Sequence, residues 1–262
     1  LRDIEPETNT VADLIPQILP GSADEFRLLT DAVGEKGYRQ IDINLGCPFP
    51  MIAGKHKGAG MLLYPAQVAE VLAPIAEYPE IQFSLKMRLG WENASECMVL
   101  VELLNTLRLS RIALHARTGK QQYKGHPDLE AFQGFYELCQ HPLYYNGGIE
   151  SLSDIRQILI RFPLLKGVFI GRGLLSSPLL AKEFKGNETF LPEQRMSIYF
   201  AFHEELFSAY SQVLQGETQL LVKMKTLWEY FLPETDRKLL KRIKKSTRLQ
   251  QYTESVKAIF TS

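Results

Sequence analysis

From residue 14 to residue 170, the chain alternates between two patterns of apolar and polar positions. Short, mostly apolar runs that fit strands are followed by longer runs in which apolar residues recur every three or four positions, as in amphipathic helices. The predicted strands are residues 14–19, 39–44, 81–88, 111–115, 143–146 and 167–170. The predicted helices between them are residues 23–36, 65–76, 95–107, 129–139 and 153–161. This alternation predicts an α/β fold with a parallel sheet covered by helices.

The number of strand–helix units indicates the kind of parallel sheet. Six units are visible in the pattern, whereas a closed (β/α)8 barrel of the TIM type has eight. Because the chain starts at Leu1 rather than at a methionine, we expect a TIM-type barrel whose first one or two strands are not in this chain. Residues 1–185 form the predicted barrel domain.

The pattern changes after Pro178, where strand-like runs stop. Amphipathic runs at residues 193–214, 217–231 and 237–260 predict helices only. The sequence therefore predicts a second, α-helical domain over residues 186–262.

Composition narrows the class of protein. With 30 basic and 30 acidic residues among 262 the formal net charge is +0, so any surface for a polyanion must be a local patch. Three cysteines are too few and too scattered for a disulfide framework or a metal knuckle. No apolar run reaches the roughly 18–20 residues of a membrane span, and no signal peptide is visible. We expect a cytoplasmic, monomeric protein without a metal site or a membrane segment.

One cysteine lies where chemistry is expected. In Asn44-Leu45-Gly46-Cys47-Pro48, the glycine and the proline end the second predicted strand. Cys47 therefore follows the carboxyl end of a parallel strand, where ligands and reactive groups collect in such sheets. A cysteine is more often a small buried hydrophobe, and Cys97 and Cys139, which lie inside helical patterns, are interpreted in that way. The strand-to-loop break favours a functional role for Cys47.

Polar residues follow the other predicted strands as well. They are Gln17, Asn44, Lys86 with Arg88, His115-Ala116-Arg117-Thr118, Asn146-Gly147-Gly148 and Gly171-Arg172-Gly173. Lys86 stands in a mostly apolar strand, where an unpaired ammonium is costly to bury, so a paired anion is expected. The two glycine-rich turns follow the last two strands, the common place for a phosphate in barrels. This arrangement fits a flavin mononucleotide (FMN) across the barrel mouth.

Taken together, these segments resemble the tRNA-dihydrouridine synthase family. The matching segments are Ile15-Pro16-Gln17-Ile18, Asp42-Ile43-Asn44-Leu45-Gly46-Cys47-Pro48, Lys57-Gly58-Ala59-Gly60-Met61, Ser84-Leu85-Lys86-Met87-Arg88-Leu89-Gly90-Trp91, His115-Ala116-Arg117-Thr118, Asn146-Gly147-Gly148-Ile149 and Ile170-Gly171-Arg172-Gly173. Two features depart from the family pattern: the first strand, with its Pro-Met-x-Gly-like flavin contact, is missing, and Gly148 stands where many members have an acidic residue.

The resemblance implies an FMN-binding barrel and a helical tRNA-binding domain that reduce the C5–C6 double bond of a uridine in tRNA, with NADPH reloading the flavin. Cys47 is then the general acid, since a thiol with the ordinary pKa near 8.5 is mostly protonated at neutral pH. Asn44 is expected to bond the uracil edge, and Arg117, Gln121 and Tyr123 to grip the extruded base from a mouth loop. The implied FMN-binding residues are Gln17, Lys86, His115, Asn146, Gly147, Gly148, Gly171 and Arg172.

Two basic segments bear on the RNA partner. Lys55-His56-Lys57 follows the cysteine loop, which Gly54, Gly58 and Gly60 are expected to make mobile. Residues 237–245 carry six cations and no acidic residue. On a helix, these cations would be spread over more than one face, and the apolar residues of the run would face the core. In a neutral chain such a cluster favours a phosphate-binding surface. The short C-terminal helical region, residues 186–262, is most similar to that of the bacterial subgroup that acts on U16 of the D-loop.

Two other functions remain open on the sequence alone. Another FMN barrel, similar to a dihydroorotate dehydrogenase and acting on free pyrimidines, would share the lysine, asparagine and cysteine at strand ends but needs no basic helical tail. An RNA-binding module without flavin would keep the basic tail, and the absence of flavin absorbance after purification would reveal it.

Overall fold

The computed structural model describes residues 4–9 and 14–260, so Leu1 lies outside the described residues. The chain forms two compact units. One unit comprises the chain up to Gly148 together with Arg156–Phe169, and the other comprises Ile149–Ile155 and the chain from Ile170 onward. The predicted boundary at residues 185 and 186, between a flavin-binding and a tRNA-binding domain, stays a prediction about function.

The first unit is built on a six-stranded parallel sheet, as predicted. Its strands are β1 (Gln17–Ile18), β2 (Gln40–Leu45), β3 (Gln82–Gly90), β4 (Leu109–Thr118), β5 (Leu143–Asn146) and β6 (Gly167–Phe169), and they pair in sequence order. This order is that of successive strands in a (β/α) barrel. β1 is shorter than the predicted residues 14–19 because Pro16 and Pro20 lack the N–H that a ladder needs. β4 is longer than predicted and contains Arg117 and Thr118.

Helices lie between the strands and beyond them. Those before β6 are α1 (Ala23–Gly34), α2 (Pro50–Ala53), α3 (Pro65–Leu72), α4 (Glu96–Thr106), α5 (Leu129–Leu138) and α6 (Leu152–Arg161). Those after β6 are α7 (Arg172–Ser176), α8 (Leu180–Gly186), α9 (Pro192–Val213), α10 (Gly216–Leu227), α11 (Arg237–Lys245) and α12 (Leu249–Phe260). The short helices α2, α7 and α8 were not predicted from the sequence.

Two predicted helices are interrupted. The run 65–76 ends as an α-helix at Leu72 and continues as a 3₁₀ turn over Ala73–Glu77, because Pro74 has no N–H to donate and its ring crowds the preceding turn. The run 237–260 is two helices rather than one, since α11 ends at Lys245 and α12 begins at Leu249.

The two faces of the sheet differ in chemistry. Side chains alternate along each strand, and Ile41, Ile43 and Leu45 of β2 are fully buried. The other face has polar side chains, because the register pairs Gln17 with Asp42, Asn44 with Lys86 and His115 with Asn146. We call this surface the polar face. It consists of Gln17, Asp42, Asn44, Ser84, Lys86, Arg88, His115, Arg117 and Asn146.

The second unit has a helical core of its own. Trp228, Met224, Ile243 and Tyr252 are at its centre, and partly buried side chains of α9 pack around them. This confirms the predicted helical region after the sheet. Across residues 4–9 and 14–260, every helix is too short or too polar to cross a membrane.

Candidate active site

The loop that carries Cys47 is held by a residue near the end of β2. Asn44 Oδ1 accepts the backbone N–H groups of Gly46 and Cys47, each at 2.9 Å. An asparagine that bonds its own backbone a few residues onward stabilises a turn of this kind. Cys47 is a half-buried, free thiol, so the loop presents a reactive group at the carboxyl end of the sheet.

Glycines pack directly against this loop. The N–H of Ala59 donates to the carbonyl of Cys47 at 3.0 Å. A Cβ on Gly58 would lie 2.9 Å from Cys47 Cβ, and one on Gly60 would lie 2.3 Å from the carbonyl oxygen of Ala53. The sequence predicted that these glycines loosen the segment, but they instead allow residues 58–63 to form a tight 3₁₀ turn behind the thiol.

A buried carboxylate lies one step below Asn44 on the polar face. Asp42 is 8 % exposed, and its two oxygens accept hydrogen bonds from Gln17 Nε2 and from Ser84 Oγ, both at 2.6 Å. Gln17 Oε1 in turn accepts from Asn44 Nδ2 at 2.7 Å. The polar residues of β1 and β2 therefore form one connected network that ends at the cysteine loop.

Arg88 joins the cysteine loop to the loop after β4. The side chain is 2 % exposed and donates to the carbonyl of Gly46 at 3.0 Å and to those of Thr118 and Gln122 at 2.9 and 2.7 Å. The ring of Tyr123 lies 5.4 Å from the guanidinium. Burial lowers the pKa of Arg88 to about 10, so the group stays cationic at neutral pH and fixes both loops.

Lys86 differs from every other cation of this face. It is half-buried and makes no hydrogen bond or ion pair with any residue that the structure describes. Burial lowers its pKa, the nearby positive charge of Arg88 lowers it further, and the carboxylate of Asp42 opposes the shift without forming an ion pair. An ammonium in this position is costly without a counter-charge, so the site favours an anionic or strongly accepting ligand.

His115 and Arg117 lie side by side on β4, each 5 % exposed. Arg117 Nη1 is 3.2 Å from His115 Nε2, and Arg117 Nη2 donates to the carbonyl of Gly125 at 3.0 Å. A guanidinium only donates, so Nε2 of His115 is the acceptor and Nδ1 carries the proton of the neutral ring. Arg117 was expected on the mouth loop, but it belongs to the strand and supports that loop from beneath.

The loop after β4 contains the other two predicted substrate contacts. Gln121 is bound within the loop, because its Oε1 accepts from the Thr118 N–H at 3.3 Å and its Nε2 donates to the His126 carbonyl at 2.9 Å. Tyr123 is 54 % exposed, and its ring centroid lies 6.3 Å from that of His115. Of these two residues, only Tyr123 offers a broad open surface.

The first glycine-rich turn follows β5. Asn146 Nδ2 donates to the carbonyl of Phe169 at 2.8 Å, and Gly147 and Gly148 adopt φ of 134° and 62°. A Cβ on Gly147 would lie 3.1 Å from His115 Cδ2, so the backbone approaches the histidine closely. Gly171 and Arg172 of the second turn belong to the other unit, where Gly171 precedes α7.

The polar face fits FMN by the chemistry of its donors. Lys86 offers an ammonium that has no bonded partner within residues 4–9 and 14–260, and the Gln17 amide keeps one N–H and one lone pair beyond the bonds it makes. Gly147 and Gly148 both have positive φ angles, a backbone conformation found in turns whose N–H groups bind phosphate. Among the described residues no group of three or more His, Cys, Asp or Glu side chains could hold a metal ion.

The second unit has a strongly basic surface on α11. Lys238, Lys241, Arg242 and Lys245 share one face of α11 and, with α12, line a cavity of about 420 Å³. None of the four forms an ion pair with a described residue. Ile243, on the opposite side, is fully buried, as the sequence predicted. We call these four residues the α11 basic face.

Comparison with known proteins decides the family. The model of the family described as "Dihydrouridine synthase (Dus)" matches residues 3–261. The chain belongs to the dihydrouridine synthase family.

Curated dihydrouridine synthases are similar to about two thirds of this chain. The tRNA-dihydrouridine synthase B of Vibrio vulnificus is 28 % identical over 174 residues, which is 64 % of this chain and 54 % of the relative. The synthase B of Pseudomonas putida is 27 % identical over 182 residues, or 69 % and 52 % of the two chains. The chain thus spans about half the length of the curated relatives it matches. Among solved structures, morphinone reductase matches with a TM-score of 0.48 and 15 % identity, over 66 % of this chain and 51 % of that one.

For this member of the dihydrouridine synthase family, sequence reasoning missed two residues of the polar face. Arg88 was noted at a strand end but given no role, although it fixes both loops. Asp42 was quoted only as part of the resemblance, although it anchors Gln17. An available signal was the i, i+2 spacing from Asp42 to Asn44 and from Lys86 to Arg88, which places each pair on one face of a strand.

Proposed function

We propose that this chain forms the cofactor- and substrate-binding part of a tRNA-dihydrouridine synthase, which reduces the C5–C6 double bond of a uridine in tRNA. The observation that carries the proposal is that a free thiol follows one strand while the neighbouring strand carries an ammonium with no bonded partner among the described residues. Cys47 follows β2, and Lys86 is the register partner of Asn44 on β3. Family membership supplies the reaction, and this arrangement supplies a proton donor beside a site for an electron-rich cofactor.

FMN is the proposed cofactor, and NADPH the proposed reductant that reloads it. Lys86, Gln17 and His115 would hold the flavin ring, and Asn146, Gly147 and Gly148 its phosphate side. Gly171 and Arg172, which belong to the other unit, stay predicted phosphate contacts. When bound, the flavin would supply the hydride that adds to C6 of the uracil.

Cys47 is the proposed proton donor to C5, on the carbon next to the one that receives hydride. Addition at C6 leaves negative charge that extends over C5 and the C4 carbonyl, and a nearby thiol can quench it with its proton. Asn44 keeps one N–H of its side-chain amide beyond the bond to Gln17, and that N–H is the proposed contact to the uracil edge. Arg88 and the glycine turn keep this loop in place without touching the base.

The tRNA must present an extruded uridine to such a site. Removing a base from its stack costs roughly a few kcal/mol, less for a loop base, and the exposed ring of Tyr123 offers a surface for it. Arg117 and Gln121 remain proposed contacts, although Gln121 would have to exchange bonds within its loop. The α11 basic face is the proposed contact to tRNA phosphates, and position U16, like the monomeric state, stays a prediction.

Mass spectrometry of treated tRNA tests this proposal. The chain is incubated with FMN, NADPH and unmodified tRNA, the tRNA is digested, and nucleosides two mass units heavier than uridine are counted and mapped, with Cys47→Ala as the matched variant. We expect dihydrouridine at one D-loop position with the native chain and a loss of product in the variant. Reduction of free pyrimidines instead of tRNA would favour the dihydroorotate dehydrogenase-like alternative. Retained tRNA binding without flavin binding would indicate an RNA-binding module.

A further inference from the structure

We infer that Asp42 is a positioning residue that fixes the Cys47 loop through a one-way chain of hydrogen bonds. The chain runs from the Asp42 carboxylate through the side-chain amides of Gln17 and Asn44 to the backbone of Gly46 and Cys47. Its catalytic consequence depends on the proposed function, whereas its effect on the loop does not.

The bonds are short and continuous. Gln17 Nε2 donates to Asp42 Oδ2 at 2.6 Å, and Asn44 Nδ2 donates to Gln17 Oε1 at 2.7 Å. Asn44 Oδ1 then accepts two backbone N–H groups at 2.9 Å each. The side chains of Gln17 and Asn44, from two neighbouring strands, therefore connect a buried carboxylate to the loop that carries the thiol.

The chain has one direction because its two ends are chemically different. An ionised carboxylate only accepts hydrogen bonds, and a backbone N–H only donates them. Each amide in between must turn its NH₂ toward Asp42 and its oxygen toward the loop. If Gln17 were flipped, its oxygen would face the carboxylate and its NH₂ would face another NH₂ group. The carboxylate thus fixes the orientation of Gln17, which in turn favours the orientation that Asn44 needs.

The other neighbours of Asp42 do not connect its carboxylate to the Cys47 loop. Ser84 Oγ bonds the second carboxylate oxygen at 2.6 Å, which holds the carboxylate but leads no further toward the thiol. Lys86 is near enough to feel the charge of Asp42 but forms no ion pair with it. Of the two side-chain bonds that Asp42 makes with described residues, the one to Gln17 leads on to the thiol loop and the one to Ser84 does not.

Hydrogen exchange at the amides of Gly46 and Cys47 tests the inference without any catalytic readout. Asp42→Leu and Gln17→Leu each remove one link, and Ser84→Ala is the matched control, because it removes a bond to the same carboxylate away from the chain. Gln17 is exposed, so its variant tests the link even if Asp42→Leu fails to fold. Since one hydrogen bond is worth about 1 kcal/mol, we expect exchange at the two amides to accelerate about fivefold in each single variant.

The double variant separates a chain from two independent effects. If Asp42 acts through Gln17, removing both accelerates exchange no more than removing either, whereas independent effects multiply. Asp42→Asn keeps an oxygen for Gln17 and should stay within about twofold of the native protein. Unchanged exchange in Asp42→Leu and Gln17→Leu, multiplied effects, or equal acceleration in α5 would each overturn the inference.

The same variants connect the loop to the reaction. We expect the single-turnover rate of tRNA reduction to fall in Asp42→Leu and to be restored in Asp42→Asn, with tRNA affinity unchanged. If exchange responds as expected and the native chain forms no dihydrouridine, the proposed function fails and the positioning role stands. If dihydrouridine forms and exchange does not respond, the positioning role fails.

Discussion

Two networks of polar side chains, one in each unit of this protein, end in different ways. On the polar face of the sheet, the network of Asp42, Gln17 and Asn44 ends at a half-buried thiol. In the helical unit, Tyr252 accepts a hydrogen bond from Trp228 Nε1 at 2.9 Å and its hydroxyl lies 2.7 Å from His203 Nε2. The first network is open, because it ends at a half-buried thiol, and the second is closed, because its polar groups bond one another.

The closed network leaves its members fully bonded. Because the Glu204 carboxylate only accepts, His203 Nδ1–H donates toward it, 3.1 Å away. Nε2 of the neutral ring then accepts from the Tyr252 hydroxyl, whose oxygen accepts from Trp228. Burial lowers the pKa of His203 and raises that of Tyr252. In contrast, Lys86 on the polar face lacks any bonded partner among the described residues. A buried histidine or tyrosine therefore does not indicate function by itself, and a charged group without a partner is the more informative sign.

The largest effect is expected at the open end of the polar face. Replacing Cys47 with Ala should lower the single-turnover rate of tRNA reduction by a factor of ~10²–10⁴, the usual range for removal of a general acid. Flavin binding and NADPH oxidation should continue, because neither step uses the thiol. The rate is measured by mixing pre-reduced protein with unmodified tRNA and following flavin reoxidation. An unchanged rate in the variant would remove Cys47 from the mechanism.

The α11 basic face is open in the same sense, since its cations have no anionic partner among the described residues. Changing its four residues to Gln should weaken tRNA binding by up to about a hundredfold at ~0.1 M salt. The dependence of log K on log salt should flatten by roughly 0.7–0.9 for each phosphate that the variant no longer neutralises. All tRNA sequences should be affected alike, because phosphate contacts do not read bases.

A control variant with the same change in charge separates contacts from the overall field. It replaces four exposed lysines of the second unit that lie off this face, namely Lys182, Lys185, Lys223 and Lys257. Affinity and salt slope should change little in the control. Equal slopes in both variants would show that α11 carries only a solvated surface.

A substitution in the closed network should lower the free energy of unfolding and leave flavin binding unchanged. Tyr252→Phe leaves Trp228 Nε1 and His203 Nε2 without their shared partner, which costs about 1–3 kcal/mol of unfolding free energy. Urea unfolding followed by tryptophan fluorescence measures this cost. Tyr210→Phe, whose hydroxyl makes no hydrogen bond with a described residue, is the control and should change stability by less than about 0.5 kcal/mol. A loss of flavin binding in Tyr252→Phe without a loss of stability would break the comparison.

The smallest effect concerns pH. The folded protein holds His203 with a lowered pKa, so the unfolded chain binds a proton more readily below about pH 6.5. The contribution of neutral His203 to stability is therefore complete above that pH and is lost as the pH falls. His203→Gln should make stability less dependent on pH between about 5 and 6.5, by at most ~1.4 kcal/mol per pH unit. An identical slope in the variant would mean that other groups cause the acid sensitivity.

Much of the architecture could be predicted from periodicity alone. The alternation of strands and helices predicted all six strands within a few residues, because buried parallel strands and amphipathic helices have distinct apolar periods. The position of Cys47 just after β2 could be predicted because glycine and proline mark the strand end beside it. The short β1 and the end of α3 depend on prolines whose effects act over one or two residues, which a period averaged over ten residues does not resolve.

Contacts between distant segments could not be predicted. The bond from Gln17 to Asp42 joins residues 25 positions apart, and only the register of β1 against β2 brings them together. The sequence shows that Arg88 is an arginine in an apolar strand. The three carbonyls that it binds belong to loops whose course the sequence does not specify. The separation of α11 from α12 similarly depends on their packing against one another.

The most direct test of the difference between the open and the closed network is the affinity of FMN for Lys86→Met. The control is Lys36→Met, a lysine of similar burial in the same unit whose ammonium is already paired with Glu5 at 2.7 Å. Fluorescence quenching of FMN gives both dissociation constants. Removing a charge-assisted hydrogen bond of roughly 1.5–3 kcal/mol predicts a ~10–150-fold higher Kd for Lys86→Met and a Kd within about twofold of the native value for Lys36→Met. Equal affinities of the two variants would contradict the account, because the Lys86 ammonium would then not be the cofactor anchor.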